Sequence, residues 1–210
     1  MDLYIIGAGD VGGFIAYHAQ DMGPFCVKGF LDDDVSKHGK KCYGLPVLGG
    51  TEHVLRSTDP IAVAVAVANP RVKEKIVSEL QKNNRIQFPS FVHPTVWLGR
   101  NTEIQQGCII YPGVSINYET LIEGFTTINM NSAIGHNCTL GRYSTLSPGV
   151  NLGGFTSIGQ GSFVGIGAST IQGVRIGAKA TVGGMTMILK NVPDQVTIVG
   201  NPGRIIRKEE

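Results

Sequence analysis

Five histidines occur in this 210-residue chain, and only His93 and His136 fall in its long repetitive half. Two imidazoles cannot supply the three protein ligands that a catalytic zinc generally takes, so a zinc-dependent solenoid hydratase is not expected. His93 precedes Pro94 and reads as structural. His136 follows Ile134-Gly135 on a corner of the repeat and points outward, where an imidazole is available for proton transfer.

A second group of residues points to phosphate chemistry. Leu3 to Ile6 is a short apolar run that ends in Gly7-Ala8-Gly9-Asp10-Val11-Gly12 and leads into a helix-compatible segment reaching about Met22. In a strand, glycine turn and helix, backbone N–H groups at the helix N-terminus face an anion, so Gly7, Gly9 and Asp10 are candidate ligand contacts. A second strand, Cys26 to Leu31, ends in Asp32-Asp33-Asp34. Asp32 follows Gly12 at the interval, about 20 residues, where an acid meets a ribose or base. A tight packing turn with a capping acid is the simpler reading of each part, but the parts together favour nucleotide binding.

The elements that position these residues differ in texture. Up to about residue 85 the pattern is α/β: a loop from Asp34 to Gly50 with a short strand at Leu45 to Leu48, a buried strand at Ile61 to Val67, and a helix from Arg71 to Lys82 with Pro70 near its first turn. That is half a dinucleotide-binding domain, better matched to a mononucleotide portion than to a whole NAD. From Val92 to Ile188 one residue returns every six positions, all aliphatic except Thr170. A period of six is one short strand plus one turn; three such hexads make one triangular coil, and about five coils stack as a β-solenoid with strands roughly 4.8 Å apart. Glycine follows the aliphatic position in many hexads, as at Gly135, Gly141, Gly153 and Gly165, and is expected to supply positive φ at the corners. The domains so read are 1–85, 86–190 and a C-terminal cap over 191–210.

Charge is nearly balanced, +2 from 18 basic and 16 acidic residues, which implies neither a nucleic-acid footprint nor a polybasic membrane patch. Cys26, Cys42, Cys108 and Cys138 show no C-x-x-C pair or disulfide spacing, and the apolar run Ile61 to Ala68 is too short to span a bilayer. A cytoplasmic protein is expected.

The run Asn129 to Gly141, the following Leu146-Ser147-Pro148-Gly149, the Ile171 to Gly177 coil and the closing Val199-Gly200-Asn201-Pro202 resemble the hexapeptide-repeat acyltransferases of bacterial glycan synthesis. The N-terminal glycine turn with Phe30-Leu31-Asp32-Asp33 is similar to that of the PglD/NeuD-type sugar acetyltransferases in particular. The resemblance implies a Rossmann-like α/β subdomain followed by a left-handed parallel β-helix, assembled as a homotrimer with sites between neighbouring subunits. It implies acetyl-CoA as acetyl donor and a nucleotide-activated amino-sugar as acceptor, with N-acetylation of a 4-amino group favoured. Sugar O-acetylation, or a non-catalytic nucleotide-binding scaffold, stands as the alternative.

Carried onto this chain, the resemblance makes His136 the general base and gives a backbone amide one coil away the thioester carbonyl. Gly154, one full coil beyond His136 in the count of hexads, is compatible with that place. Asn129 would contact the sugar, Asp32 and Asp33 the nucleotide base, Lys73 the phosphates, and Gly154, Ile166 and Gly184 the coenzyme. Three positions depart from the family pattern: Asn137 stands where an acid often follows the histidine, Thr145 where a second histidine occurs, and Val11 where amino-sugar members have a histidine. Glu119, one full coil before Asn137, is the candidate substitute to orient the imidazole.

Overall fold

The computed structural model describes residues 1–208, which fall into two compact units meeting in sequence between Phe91 and Val92. The first unit is a six-stranded sheet in the order β3-β4-β2-β1-β5-β6, built from β1 (Asp2–Ile6), β2 (Cys26–Leu31), β3 (Lys41–Cys42), β4 (Leu45–Gly49), β5 (Ile61–Val65) and β6 (Ile86–Gln87). Its pairs are parallel except the β3–β4 hairpin. All five residues of β5 are buried, as a strand covered on both faces requires. Helices α1 (Asp10–His18), α2 (Glu52–Leu55) and α3 (Pro70–Leu80) connect the strands. The side chain of Asn69 caps α3, accepting from the N–H groups of Arg71 and Val72 ahead of Pro70 in the first turn.

Strand order reverses between β1 and β5, and the glycine turn sits at that switch point, the place where open α/β sheets bind ligands. A Cβ on Gly7 (φ 100°) would stand 2.9 Å from the carbonyl oxygen of Ala66 just after β5. Glycine is therefore required there on two counts.

The second unit is a parallel β-helix. Two-residue strands recur once per hexad, and each pairs in register with the strand three hexads on, as in Ser115↔Ala133, Ile116↔Ile134 and Ala133↔Asn151. One face carries Val92, Ile110, Ile128, Leu146, Val164 and Val182 inward; the next carries Leu98, Ile116, Ile134, Leu152, Thr170 and Ile188; the third carries Ile104, Ile122, Leu140, Ile158 and Ile176. Apart from Leu98, 44% exposed in the first coil, these side chains make one continuous core, with Val92 and Ile104 partly buried against it. Thr170, the exception to the aliphatic rule, is buried and satisfied: its hydroxyl meets that of Thr156 at 3.0 Å and accepts the Gly153 N–H at 3.1 Å. In the coil below, the Gly135 N–H donates instead to a carbonyl, that of Leu152. The strand Val196–Val199 continues the first face, and Arg204–Lys208 pairs antiparallel with it, ending the sheet.

The glycines after the inward residue do not supply the positive φ. That conformation falls two residues later, and side chains hold it at many corners: Asn101, Glu119, Asn137 and Phe155 (φ 58, 56, 55 and 59°) form one such ladder. The corner glycines answer to packing. A Cβ on Gly135 would lie 2.5 Å from the Gly154 nitrogen, on Gly141 2.6 Å from that of Gln160, and on Gly165 2.6 Å from that of Gly184. Strand spacing brings the next coil's backbone down onto these positions, and only hydrogen leaves room.

Candidate active site

His136 sits at the end of the strand Ala133–Ile134, where the second face turns a corner. Its Nδ1 lies 2.9 Å from Oδ1 of Asn137, and the Asn137 amide nitrogen donates to Oε2 of Glu119 at 3.5 Å. Because the amide nitrogen faces a carboxylate, Oδ1 faces the imidazole and Nδ1 carries the proton. Nε2 is left with its lone pair, the state a general base needs. Asn101 donates to the other Glu119 oxygen at 3.4 Å, so an amide stands on each side of this carboxylate along the corner ladder.

The ring is held by neighbours one coil away on each side. Tyr118 stacks on it with centroids 5.2 Å apart and planes 13° apart, and Phe155 meets it edge-on at 5.0 Å. Beyond the other edge is Gly154, whose missing Cβ would stand 2.7 Å from Nε2. The corner ladder is pinned by backbone rungs: Asn137 N–H to the Tyr118 carbonyl at 3.0 Å and Phe155 N–H to the His136 carbonyl at 2.9 Å.

At this point of the coil the amide faces outward, and elsewhere a side chain often covers it. Tyr118 N–H donates to Oδ1 of Asn117, Met130 N–H to Oδ1 of Asn129 and Arg142 N–H to Oε2 of Glu123. Gly154 follows another glycine, Gly153, which has no side chain to turn back. Among the described residues its N–H donates to no group. A free amide donor thus stands one coil above a free imidazole nitrogen, a fit for a thioester carbonyl.

The β-helix residues singled out in the sequence border one face. Asn129 lies at the corner before the strand Ala133–Ile134 and His136 at the corner after it; Gly154, Ile166 and Gly184 flank the same face in the coils above. Between them runs an open cleft of about 360 Å³ whose lining includes Trp97, Asn117, Gly135, Asn151 and Gly153. Ile166 is 59% exposed, and a Cβ on Gly184 would press on it at 3.1 Å, so these two present an apolar step at the far edge.

In the first unit, the Asp32 carboxylate accepts from Ala8 N–H at 2.9 Å, Asp34 N–H at 3.0 Å and the Lys37 ammonium at 2.8 Å. Burial pushes its acidity down, but Lys37 and the two N–H groups outweigh that and hold its pKa below the ordinary value. Asp32 thereby locks the glycine turn to the end of β2. Asp33 is exposed and takes only a long bond, 3.4 Å, from Thr51 N–H. Gly9 caps α1, and a Cβ on it would touch nothing within 4 Å, which leaves open space at the turn. Asp10, in the first turn of α1, accepts from the Tyr43 hydroxyl at 3.2 Å.

Lys73 corrects an expectation. Expected at the phosphates, it is 1% exposed on the inner side of α3, so its ammonium is not offered to solvent. The cation beside the glycine turn is Lys37, brought there by folding of the 34–40 loop. Tyr118 and Phe155 were legible in their one-coil spacing from His136 and Asn137; Lys37 had no such signal.

A β-helix of hexapeptide coils carrying an open imidazole and a free amide beside one cleft defines a hexapeptide-repeat acyltransferase. Residues 2–80 match the PglD N-terminal domain family. The chain is 32% identical over 184 residues to the GDP-perosamine N-acetyltransferase of Escherichia coli O157:H7, covering 85% of this chain and 82% of that protein. The acetyltransferase domain of PglB from Neisseria gonorrhoeae FA1090 superimposes with a TM-score of 0.90 at 28% identity over 98% of this chain and 99% of that one. PerB from Caulobacter crescentus, solved with CoA and GDP-perosamine, does so with a TM-score of 0.90 at 26% identity over 99% and 98%. The chain belongs to the hexapeptide-repeat sugar acetyltransferases of the PglD/NeuD type, left-handed β-helix enzymes that use acetyl-CoA.

Proposed function

We propose that this enzyme transfers acetyl from acetyl-CoA to the 4-amino group of a nucleoside-diphosphate sugar. The observation that carries this reading is the pairing of His136 Nε2 with the free Gly154 N–H, one coil apart at the same corner. The E. coli relative is named for N-acetylation of GDP-perosamine, and a Neisseria neighbour was solved with acetyl coenzyme A.

Bound acetyl-CoA supplies a thioester whose carbonyl carbon accepts the amine while its C–S bond breaks. His136 Nε2 takes the proton that the amine loses on attack and returns a proton to the departing sulfur, so the base is regenerated. The Gly154 N–H stabilises charge on the carbonyl oxygen, and such a donor is worth about 10²–10³ in rate. Asn137 holds the imidazole in the Nδ1–H tautomer, and Glu119 holds Asn137. Asn129 has its carbonyl tied to Met130 N–H, leaving its amide to meet a sugar hydroxyl. Gly154, Ile166 and Gly184 receive the coenzyme. In the first unit the glycine turn, with Gly7, Gly9 and Asp10, receives the nucleotide, and Asp33 offers acceptors to its base. No loop leaves the coils to close the cleft, so a neighbouring copy completes it, in a homotrimer.

The test is acetyl-CoA consumption against a panel of nucleotide-linked amino-sugars, GDP-perosamine among them, with His136→Ala in parallel. Turnover on an amine acceptor that the substitution abolishes is expected; coenzyme binding without acetylation of any amine would overturn the reading.

A further inference from the structure

The corner that carries His136 extends two coils further down. Arg100, Tyr118, His136 and Gly154 occupy the same position in successive coils. Successive backbone rungs fix the register: Glu119 N–H to the Arg100 carbonyl at 3.0 Å, Asn137 N–H to that of Tyr118 at 3.0 Å, and Phe155 N–H to that of His136 at 2.9 Å. At strand spacing, Arg100 therefore lies about 10 Å along the column from His136. Between them the Tyr118 ring is 47% exposed and stacked nearly parallel on the imidazole.

Arg100 is exposed, and among the described residues its guanidinium has no ion pair or hydrogen bond. The nearest acid in sequence register, Glu119, takes an amide at each oxygen, from Asn101 and Asn137, so it does not neutralise the arginine. The column thus presents a base, an aromatic plane and an unpaired fork of donors in a line. A nucleotide-linked 4-amino sugar presents the complementary series: an amine at C4, a pyranose ring with C–H groups on its face, and a diphosphate on the 1-position across the ring. Guanidinium recognises phosphate bidentately.

We propose that Arg100 binds the diphosphate of the acceptor and that the outer edge of the Tyr118 ring lies against its sugar ring, so that the column measures the substrate from phosphate to amine and delivers the amine to His136. This assigns two specificity residues and rests on the functional reading above.

Arg100→Ala and Arg100→Lys are compared with the unaltered enzyme by steady-state kinetics on the nucleotide amino-sugar, with melting temperatures measured to confirm folding. Loss of a charge-assisted contact predicts a KM for the nucleotide sugar raised about 10- to 100-fold in Arg100→Ala. The KM for acetyl-CoA stays within about twofold, and lysine restores part of the loss. An unchanged KM for the nucleotide sugar, or an equal rise for both substrates, overturns the proposal while leaving the acetyltransferase reading intact. Absence of turnover by the unaltered enzyme on every amino-sugar nucleotide overturns that reading, and this inference with it.

Discussion

The His136 imidazole rests against the bare Cα of Gly154: a methyl group there would stand 2.7 Å from Nε2 and 2.9 Å from Cε1. The imidazole and the glycine of the next coil are thus held in contact by the coil repeat itself.

Gly154→Ala keeps the amide but displaces the ring. A shift of this size costs about 10² in kcat when the reacting groups are positioned by packing. The side chain projects at an intermediate-exposure corner, so the melting temperature should move little. A variant with wild-type kcat would show that the ring is free to move and that this contact does not set the reaction geometry.

Asn137→Asp places a carboxylate beside Nδ1. The negative charge stabilises the imidazolium, so the neutral base is reached only at higher pH. The acidic limb of the kcat/KM profile is expected to shift upward in pH. An unmoved limb would mean that residue 137 does not govern the proton on His136.

Two glycine substitutions separate the two demands of the coil. At Gly149 (φ 69°) a Cβ meets open space, and alanine there costs about 1 kcal/mol of backbone strain. Alanine at Gly165 drives a Cβ to 2.6 Å from the Gly184 nitrogen and forces coils apart, a loss of several kcal/mol. Denaturant unfolding should rank them in that order, and the reverse would refute the packing account of the corner glycines.

Asp32 makes the first unit sensitive to acid. Its folded pKa lies below the ordinary 3.8, so its contribution to stability is complete above that value and is lost as pH falls below it through the folded value. Asp32→Asn should flatten the stability–pH curve in this window and, by loosening the Ala8 contact, weaken nucleotide binding. A curve identical to wild type throughout the acid range would remove Asp32 from the lock.

Much of this was written in the sequence, for a physical reason. A repeat of six returns each residue to the same place in the coil, so Ile134 could be placed in the core and His136 at a corner by counting. The contact with Gly154 followed from a separation of one coil. Likewise the run Leu3 to Gly12 announced its strand, turn and helix through local backbone preferences. Tertiary structure decided what counting could not. It showed that glycines such as Gly135 yield to the next coil's backbone rather than to φ, since steric approach across coils is invisible in a local pattern. It buried Lys73 and brought Lys37 to Asp32, because which cation reaches an acid depends on how an irregular loop folds back. It left the Gly154 amide bare while side chains covered its counterparts at Tyr118 and Met130, a difference that arises only when every donor has met its acceptor.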